Sequence, residues 1–208
     1  MDKPSPLPNR VTPFGEIVAS PARGGMLGNR GGRIHEGYEI RRRQASPRWI
    51  CCVLDFKNRR REVMGDGYTE LFFLDEATAL AAGHRPCFEC RRADAVAFAA
   101  AWSNARGLDR RAMADEMDAV MKTERLQIGA RGAPRTRIPA PEAPPRGAMV
   151  EAGGHAYLWD GAQYLKWAPD GYRSAQPVGP ISALTSASVL GALRAGYQAR
   201  IHPSAASA

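Results

Sequence analysis

Gly83-His84-Arg85-Pro86-Cys87-Phe88-Glu89-Cys90 is the stretch on which the reading of this chain turns. A Cys-x-x-Cys spacing sets two thiolates on one metal ion, because the intervening residues form a tight knuckle with amides aimed at the sulfurs. Pro86 stiffens the approach to the first cysteine, and a helix is expected directly after the second. The same spacing serves thiol redox chemistry. Redox pairs, however, open a helix that follows a core strand of an α/β fold, whereas this pair follows a helix end at Gly83. Metal is therefore the preferred reading.

On the N-terminal side of the knuckle, Asp75 stands where an N-cap belongs and opens Glu76-Ala77-Thr78-Ala79-Leu80-Ala81-Ala82, which Gly83 ends. Before it lie three β candidates. The first is Arg48-Trp49-Ile50-Cys51-Cys52-Val53-Leu54-Asp55-Phe56, followed by the turn Lys57-Asn58; the second runs from Arg59 to Met64; the third runs from Tyr68 to Leu74, after the turn Gly65-Asp66-Gly67. A small antiparallel sheet accommodates them. On the C-terminal side, Ala93 to Ala105 predicts a helix. Asp109 would cap another, in which Met113, Met117, Val120 and Met121 recur at helical spacing and read as core packing. Asp109, Asp115, Glu116, Asp118 and Glu124 on that helix read as a charged face.

Gly129 to Pro145 is rich in Pro, Arg and Gly and marks the best domain boundary. After it, β runs around Ala156–Trp159 and Tyr164–Trp167 flank Asp160-Gly161, a hairpin signal, and Thr185 caps a last helix ending at Gly196. The fold class expected is α+β: a small antiparallel sheet with helices and a zinc knuckle, plus a smaller C-terminal β-hairpin and helix lobe. The organisation expected is an arm over 1–46, a zinc-knuckle domain over 47–128, a linker over 129–145 and a second lobe over 146–208. Leu74-Asp75-Glu76-Ala77 to Ala82-Gly83-His84-Arg85 is echoed by Leu184-Thr185-Ser186-Ala187 to Ala195-Gly196-Tyr197-Gln198, which shared capping chemistry explains as well as duplication does.

A structural zinc site takes four ligands, so the knuckle needs two more. Cys51, Cys52, His35, His84, His155 and His202 are the candidates. Neighbouring strand residues face opposite sides, so Cys51 and Cys52 do not easily share one metal. Ile50, Cys52, Leu54 and Phe56 form one apolar face that reads as core; Trp49, Cys51, Val53 and Asp55 form the other. The site expected is Cys87 and Cys90 with Cys52 or Cys51, and His35 in reserve. Either cysteine of the adjacent pair also reads as a small buried apolar residue.

Composition bounds the rest. The 208 residues include four cysteines and carry a net charge of +8, with an isoelectric point near 9.7. The first residues contain no apolar signal segment, and the longest apolar stretch, Ala95 to Trp102, is far below the ~20 residues of a membrane span. A cytoplasmic protein is expected, with no membrane partner. The charge favours an acidic partner: nucleic acid, DNA above all, or an acidic protein surface. Arg41, Arg42, Arg43, Arg59, Arg60, Arg61, Arg85, Arg91 and Arg92 are the candidate phosphate contacts. Trp49, Tyr68, Phe72 and Phe73 are candidate stacking surface; a solvated basic face with core aromatics is the plainer alternative. Gly24-Gly25 and Gly31-Gly32 lack the strand-then-helix setting of a phosphate loop.

Leu71-Phe72-Phe73-Leu74-Asp75-Glu76-Ala77 followed by Ala81-Ala82-Gly83-His84-Arg85-Pro86-Cys87-Phe88-Glu89-Cys90-Arg91 resembles the second half of the Ada-type metal-binding domain. The resemblance covers about residues 68 to 92. It implies that Cys87 and Cys90 are the second ligand pair of a zinc site. In that family, one cysteine of the first pair accepts a methyl group from a DNA phosphotriester. The family's first pair, Cys-x-x-x-Cys, is unmatched, and adjacent Cys51-Cys52 stands in its place. Three functions follow as expectations: a zinc-stabilised basic protein binding nucleic acid or a nucleic-acid-processing partner, an alkyl-accepting DNA repair protein, or a protein-interaction module with purely structural zinc. Binding is placed ahead of catalysis, because the unmatched half would carry the chemistry.

Overall fold

The glycine-rich N-terminal stretch, expected as an arm, is woven into the main sheet. In the computed structural model, which describes residues 3–59, 62–127 and 140–208, β1 (Pro8–Val11), β2 (Ile17–Ala19) and β3 (Met26–Arg30) precede a ribbon of β4 (His35–Glu36) and β5 (Glu39–Ile40). Glycine is what lets β3 lie where it does. A Cβ on Gly28 would stand 2.3 Å from the Ile50 carbonyl oxygen and 2.7 Å from the Phe73 ring. Close backbone approach is one of the few reasons to place glycine inside a strand.

β6 (Trp49–Cys52), β7 (Leu71–Phe73) and β8 (Arg85–Pro86) complete a six-stranded sheet in the order β2-β1-β7-β3-β6-β8. The sheet is mixed, where hairpin succession predicts an antiparallel one. β3 lies antiparallel to β6 and β7, but β1 runs parallel to β7 and β6 parallel to β8. No described residue of the Arg59–Met64 run is a strand: residues 62–64 lie in a turn, and Arg60 and Arg61 fall outside the described residues.

The core face of β6 is the reverse of the expected one. Trp49 and Cys51 are buried, while Ile50 and Cys52 are only half covered. α1 (Glu76–Ala81) supplies the reason, since its turn-side residues Ala79 and Ala82 pack with Cys51, Leu71 and Phe73. Asp75 caps this helix as predicted, accepting from the Thr78 amide at 2.8 Å. The His84 amide donates to the Ala79 carbonyl at 2.9 Å and the Gly83 amide to Leu80 at 3.0 Å, the two-bond C-terminal cap that wants a left-handed glycine; Gly83 has φ 84°. The echo noted in the sequence is this same cap, with Tyr197 donating to Ala192 and Gly196 to Leu193.

α2 (Arg92–Ala105) follows the knuckle, and α3 (Ala114–Gln127) begins five residues beyond Asp109. Met117 and Met121 are buried and Val120 packs beside them, but Met113 precedes the helix and is 63% exposed. The C-terminal part forms an antiparallel five-stranded sheet from β9 (Met149–Ala152), β10 (His155–Trp159), β11 (Tyr164–Ala168), β12 (Gly171–Ser174) and β13 (Ser182–Ala183). The hairpin at Asp160-Gly161 joins β10 to β11, with Asp160 Oδ1 accepting from the Ala162 and Gln163 amides. Met149, Leu158 and Leu165 pack on Leu74, Ala77 and Ala81, and α4 (Ala187–Arg194) packs Val189 and Leu193 on Phe98 and Trp102 of α2. Shared cores thus join residues 47–128 to residues 146–208. Of the expected linker 129–145, residues 129–139 lie outside the described residues. Among the described residues no helix is long and apolar enough to cross a membrane.

Candidate metal centre

The parallel pairing of β6 with β8 builds the site. Ile50 pairs with Arg85 and Cys51 with Pro86, and the Cys87 amide donates to the Cys51 carbonyl at 3.0 Å. One step further along both strands, Cys52 arrives beside Cys87. The chain then turns through Phe88 and Glu89, the Arg91 amide closes on the Cys87 carbonyl at 3.0 Å, and Cys90 comes back over the first two cysteines. The sulfurs of Cys52, Cys87 and Cys90 all lie within 4.8 Å of one another. A tetrahedral ion with ~2.3 Å zinc–thiolate bonds has sulfur edges of about 3.8 Å, so the three sulfurs could hold a metal ion by drawing together by up to about 1 Å.

Electrostatics of the three thiols is collective. The Glu89 amide points at Cys87 Sγ at 3.4 Å. Hydrogen bonds from the Cys52 and Cys90 thiols lower Cys87, while the same contacts push Cys52 up. The three thiols thus share their protons closely, and a bound cation would take the place of those protons.

Cys51 and His35 stand outside this cluster. Cys51 faces the core, as strand alternation requires once Cys52 joins the cluster, and Arg91 Nη1 lies 3.5 Å from its sulfur. Burial, first of all, and then the Glu76 carboxylate raise the Cys51 thiol. His35 is buried in β4, with Nδ1 at 2.5 Å from Thr69 Oγ1 and Nε2 at 3.1 Å from the Gly65 carbonyl, which ties the 62–70 loop to the sheet. His84 is fully buried against Trp49 and Phe73, with ring centroids 4.9 and 4.7 Å away. His155 is exposed, and His202 Nδ1 lies 2.8 Å from Ser204 Oγ.

Among the described residues, the candidate phosphate contacts do not form one stripe. Arg85 is buried, with Nε and Nη2 at 2.9 and 2.7 Å from the two oxygens of Asp118. Arg91 is buried and bridges Glu76 at 2.8 Å and Asp94 at 2.9 Å. Arg41, exposed, pairs with Glu39 at 2.8 Å, and Arg59 with Glu89 at 2.7 Å. Arg42 donates to the Arg33 carbonyl and Arg43 to that of Arg125; Arg92 is exposed. Trp49 and Phe73 are core residues. Arg30 and Arg125 stack on the Trp49 ring at 4.0 and 4.4 Å from its centroid.

The feature that sequence reasoning missed is a groove of about 400 Å³ on the sheet face opposite α1. Cys52, Cys87 and Cys90 line one end; Leu27, Ile50 and Phe72 form its floor, and Tyr68 and Glu70 its far side. Ile50 and Cys52 were assigned to the core by their hydrophobicity, yet they face this groove. No local signal marks this face as open, since the polar Asp55 falls with Cys51 on the other one. No family model matches the chain, and no curated protein or solved structure matches it.

Proposed function

We propose that Cys52, Cys87 and Cys90 bind zinc and that the chain is a zinc-stabilised basic protein engaging nucleic acid. The clustering of three sulfurs from two sequence-distant segments supports the metal, and thiolate donors in a tetrahedral frame favour zinc among common divalent ions. The surplus of eight positive charges supports a polyanionic partner. Its second support is the resemblance of residues 68–92 to the Ada-type zinc domain. Elemental analysis should give one zinc per chain, and a folded, metal-free protein would remove the basis of the reading. Binding to random-sequence DNA should weaken steeply with salt, in proportion to the phosphates contacted; binding indifferent to salt counts against nucleic acid.

One observation favours a second reading, transfer of an alkyl group to a cysteine. Cys52 and Cys90 are part-exposed and line a groove, which gives a zinc-bound thiolate access to an electrophile. Incubation with methylated DNA then adds one methyl mass to Cys52, Cys87 or Cys90. Unlabelled cysteines after full zinc loading reject it.

A further inference from the structure

An ion held tetrahedrally by three thiolates has a fourth position to satisfy, and three protein ligands are the mark of an open rather than a closed zinc site. Among the described residues, no His, Asp or Glu side chain joins Cys52, Cys87 and Cys90 in their 4.8 Å cluster. The sequence leaves almost no other source. Residues 60–61 are arginines, 128–139 contain no Cys, His, Asp or Glu, and residues 1–2 add only Asp2. All three cysteines line the same groove, so a ligand in that space could reach the remaining position of an ion they held.

The groove also says what kind of donor fits. Three thiolates around a divalent cation would sum to one negative charge; of the charged side chains lining the same space, Arg59 and Glu89 pair at 2.7 Å and the Glu70 carboxylate, 5% exposed, is left to add a second. An anionic ligand meets like charge there at low dielectric, which opposes its entry. The floor of Leu27, Ile50 and Phe72 with Tyr68 at its side suits a flat apolar body. We infer that the centre keeps an exchangeable fourth ligand, supplied from outside the chain as the ring nitrogen of a neutral aromatic heterocycle seated in the groove. This rests on the metal reading proposed above and replaces a purely structural ion with a ligand-binding one.

Cobalt(II) in place of zinc reports the coordination directly through its visible bands. The full-length protein, loaded with one cobalt, is titrated with imidazole, and in parallel with inorganic phosphate at matched ionic strength. Imidazole should shift the bands along a single saturable isotherm with cobalt retained, while phosphate leaves them unmoved. Two groove-filling variants, Ile50→Trp on the floor and Val63→Trp on the opposite loop, should each take up cobalt normally and bind imidazole about tenfold more weakly, a loss of ~1.4 kcal/mol. Asp2→Asn should leave the starting spectrum unchanged. Failure to take up cobalt overturns the metal reading itself. Cobalt bands indifferent to imidazole overturn this inference alone, as does a spectrum altered by Asp2→Asn. An equal response to phosphate overturns the ligand class, and unaltered affinity in both tryptophan variants overturns the groove as the seat.

Discussion

Asp118→Asn tests whether the strand that delivers Cys87 is held by a buried ion pair. The side chains of Arg85 and Asp118 are 5% and 3% exposed, and two parallel bonds of 2.9 and 2.7 Å join them in the two-pronged geometry that guanidinium and carboxylate prefer. Arg85 is further confined by its own neighbour, donating to the Pro86 carbonyl at 3.3 Å, and its guanidinium stacks 5.4 Å from the Phe88 centroid. Asparagine keeps the shape but removes the charge and turns one acceptor into a donor facing a donor. At an effective dielectric near 20, unit charges about 4 Å apart attract by about 4 kcal/mol. Measured losses on breaking one side of such a pair are ~3–5 kcal/mol, because the orphaned charge stays buried. Against a typical total of ~5–15 kcal/mol this is a large share. Equilibrium urea unfolding followed by tryptophan fluorescence should show the midpoint falling by about 1–2 M at unchanged slope. Arg85→Met combined with Asp118→Leu should recover most of the loss, since an apolar pair of similar volume costs no desolvation. A single-variant loss below ~1 kcal/mol, the scale of a surface pair, would refute the argument.

Other perturbations follow from the same geometry. Gly28→Ala puts a methyl 2.3 Å from the Ile50 carbonyl oxygen, a backbone atom that cannot step aside; the cost expected in the same urea assay is at least ~1–3 kcal/mol, and a loss under ~0.5 kcal/mol would contradict the close packing of β3. Cys52→Ser removes one of three sulfurs and should lower zinc affinity, measured against a chromophoric chelator, by more than the ~10–100-fold typical of outer-shell changes. Cys51→Ser should leave zinc stoichiometry at one while destabilising the fold by ~1–3 kcal/mol through a buried hydroxyl. Burial, and then the charges of Arg30 and Arg125, hold His84 well below 6.5 in the folded chain. The unfolded chain therefore binds the extra proton first, and this contribution is complete above pH 6.5 and is lost as pH falls below it, at up to ~1.4 kcal/mol per pH unit. His84→Phe should flatten the dependence of stability on pH between 6.5 and 5; an unchanged slope would assign it to other groups.

Several features are legible locally, although the expected Arg59–Met64 strand and the Asp109 cap are not found among the described residues, and what depends on distant partners is not legible. The α1 cap, its glycine end and the Cys87–Cys90 knuckle are all encoded within the sixteen positions from Asp75 to Cys90, by a carboxylate over an amide, a left-handed glycine and a turn. The choice between Cys51 and Cys52 is not local. Alternation says that only one joins Cys87 and Cys90, but which one depends on where α1 docks. Hydrophobicity pointed the wrong way because Ile50, Leu54 and Phe56 outnumber the apolar residues opposite, although Leu54 is 52% exposed. Alanines at 79 and 82 decide the matter by letting α1 lie close over Cys51 and Trp49's side of the sheet. Arg85 and Arg91 flank the knuckle and therefore looked like phosphate contacts; their carboxylates, Asp118 and Glu76, lie 33 positions after Arg85 and 15 before Arg91, beyond the reach of a pattern. Strand β3 is hidden because Gly28, which argues against a strand by propensity, is present for a steric reason that only the neighbouring strands reveal.

The two-residue strand β8 is the element on which site and fold meet. A parallel pair of this length gains little from its own ladder, so its register must be imposed from outside. Three contacts do so from different sides: Gly83 and the α1 cap fix where β8 begins, the Arg85–Asp118 pair anchors its first side chain to α3, and the Cys87 amide docks on the Cys51 carbonyl at its end. A slip of one residue would carry Cys87 away from Cys52 and bring Pro86, which has no amide to donate, opposite the Cys51 carbonyl. Proline at this position therefore penalises the wrong register, and a metal bridging Cys52, Cys87 and Cys90 would lock the right one. The ion-pair arginine and the first knuckle cysteine, two residues apart, hold the two ends of the same short strand, Arg85 through Asp118 of α3 and Cys87 through the Cys51 carbonyl.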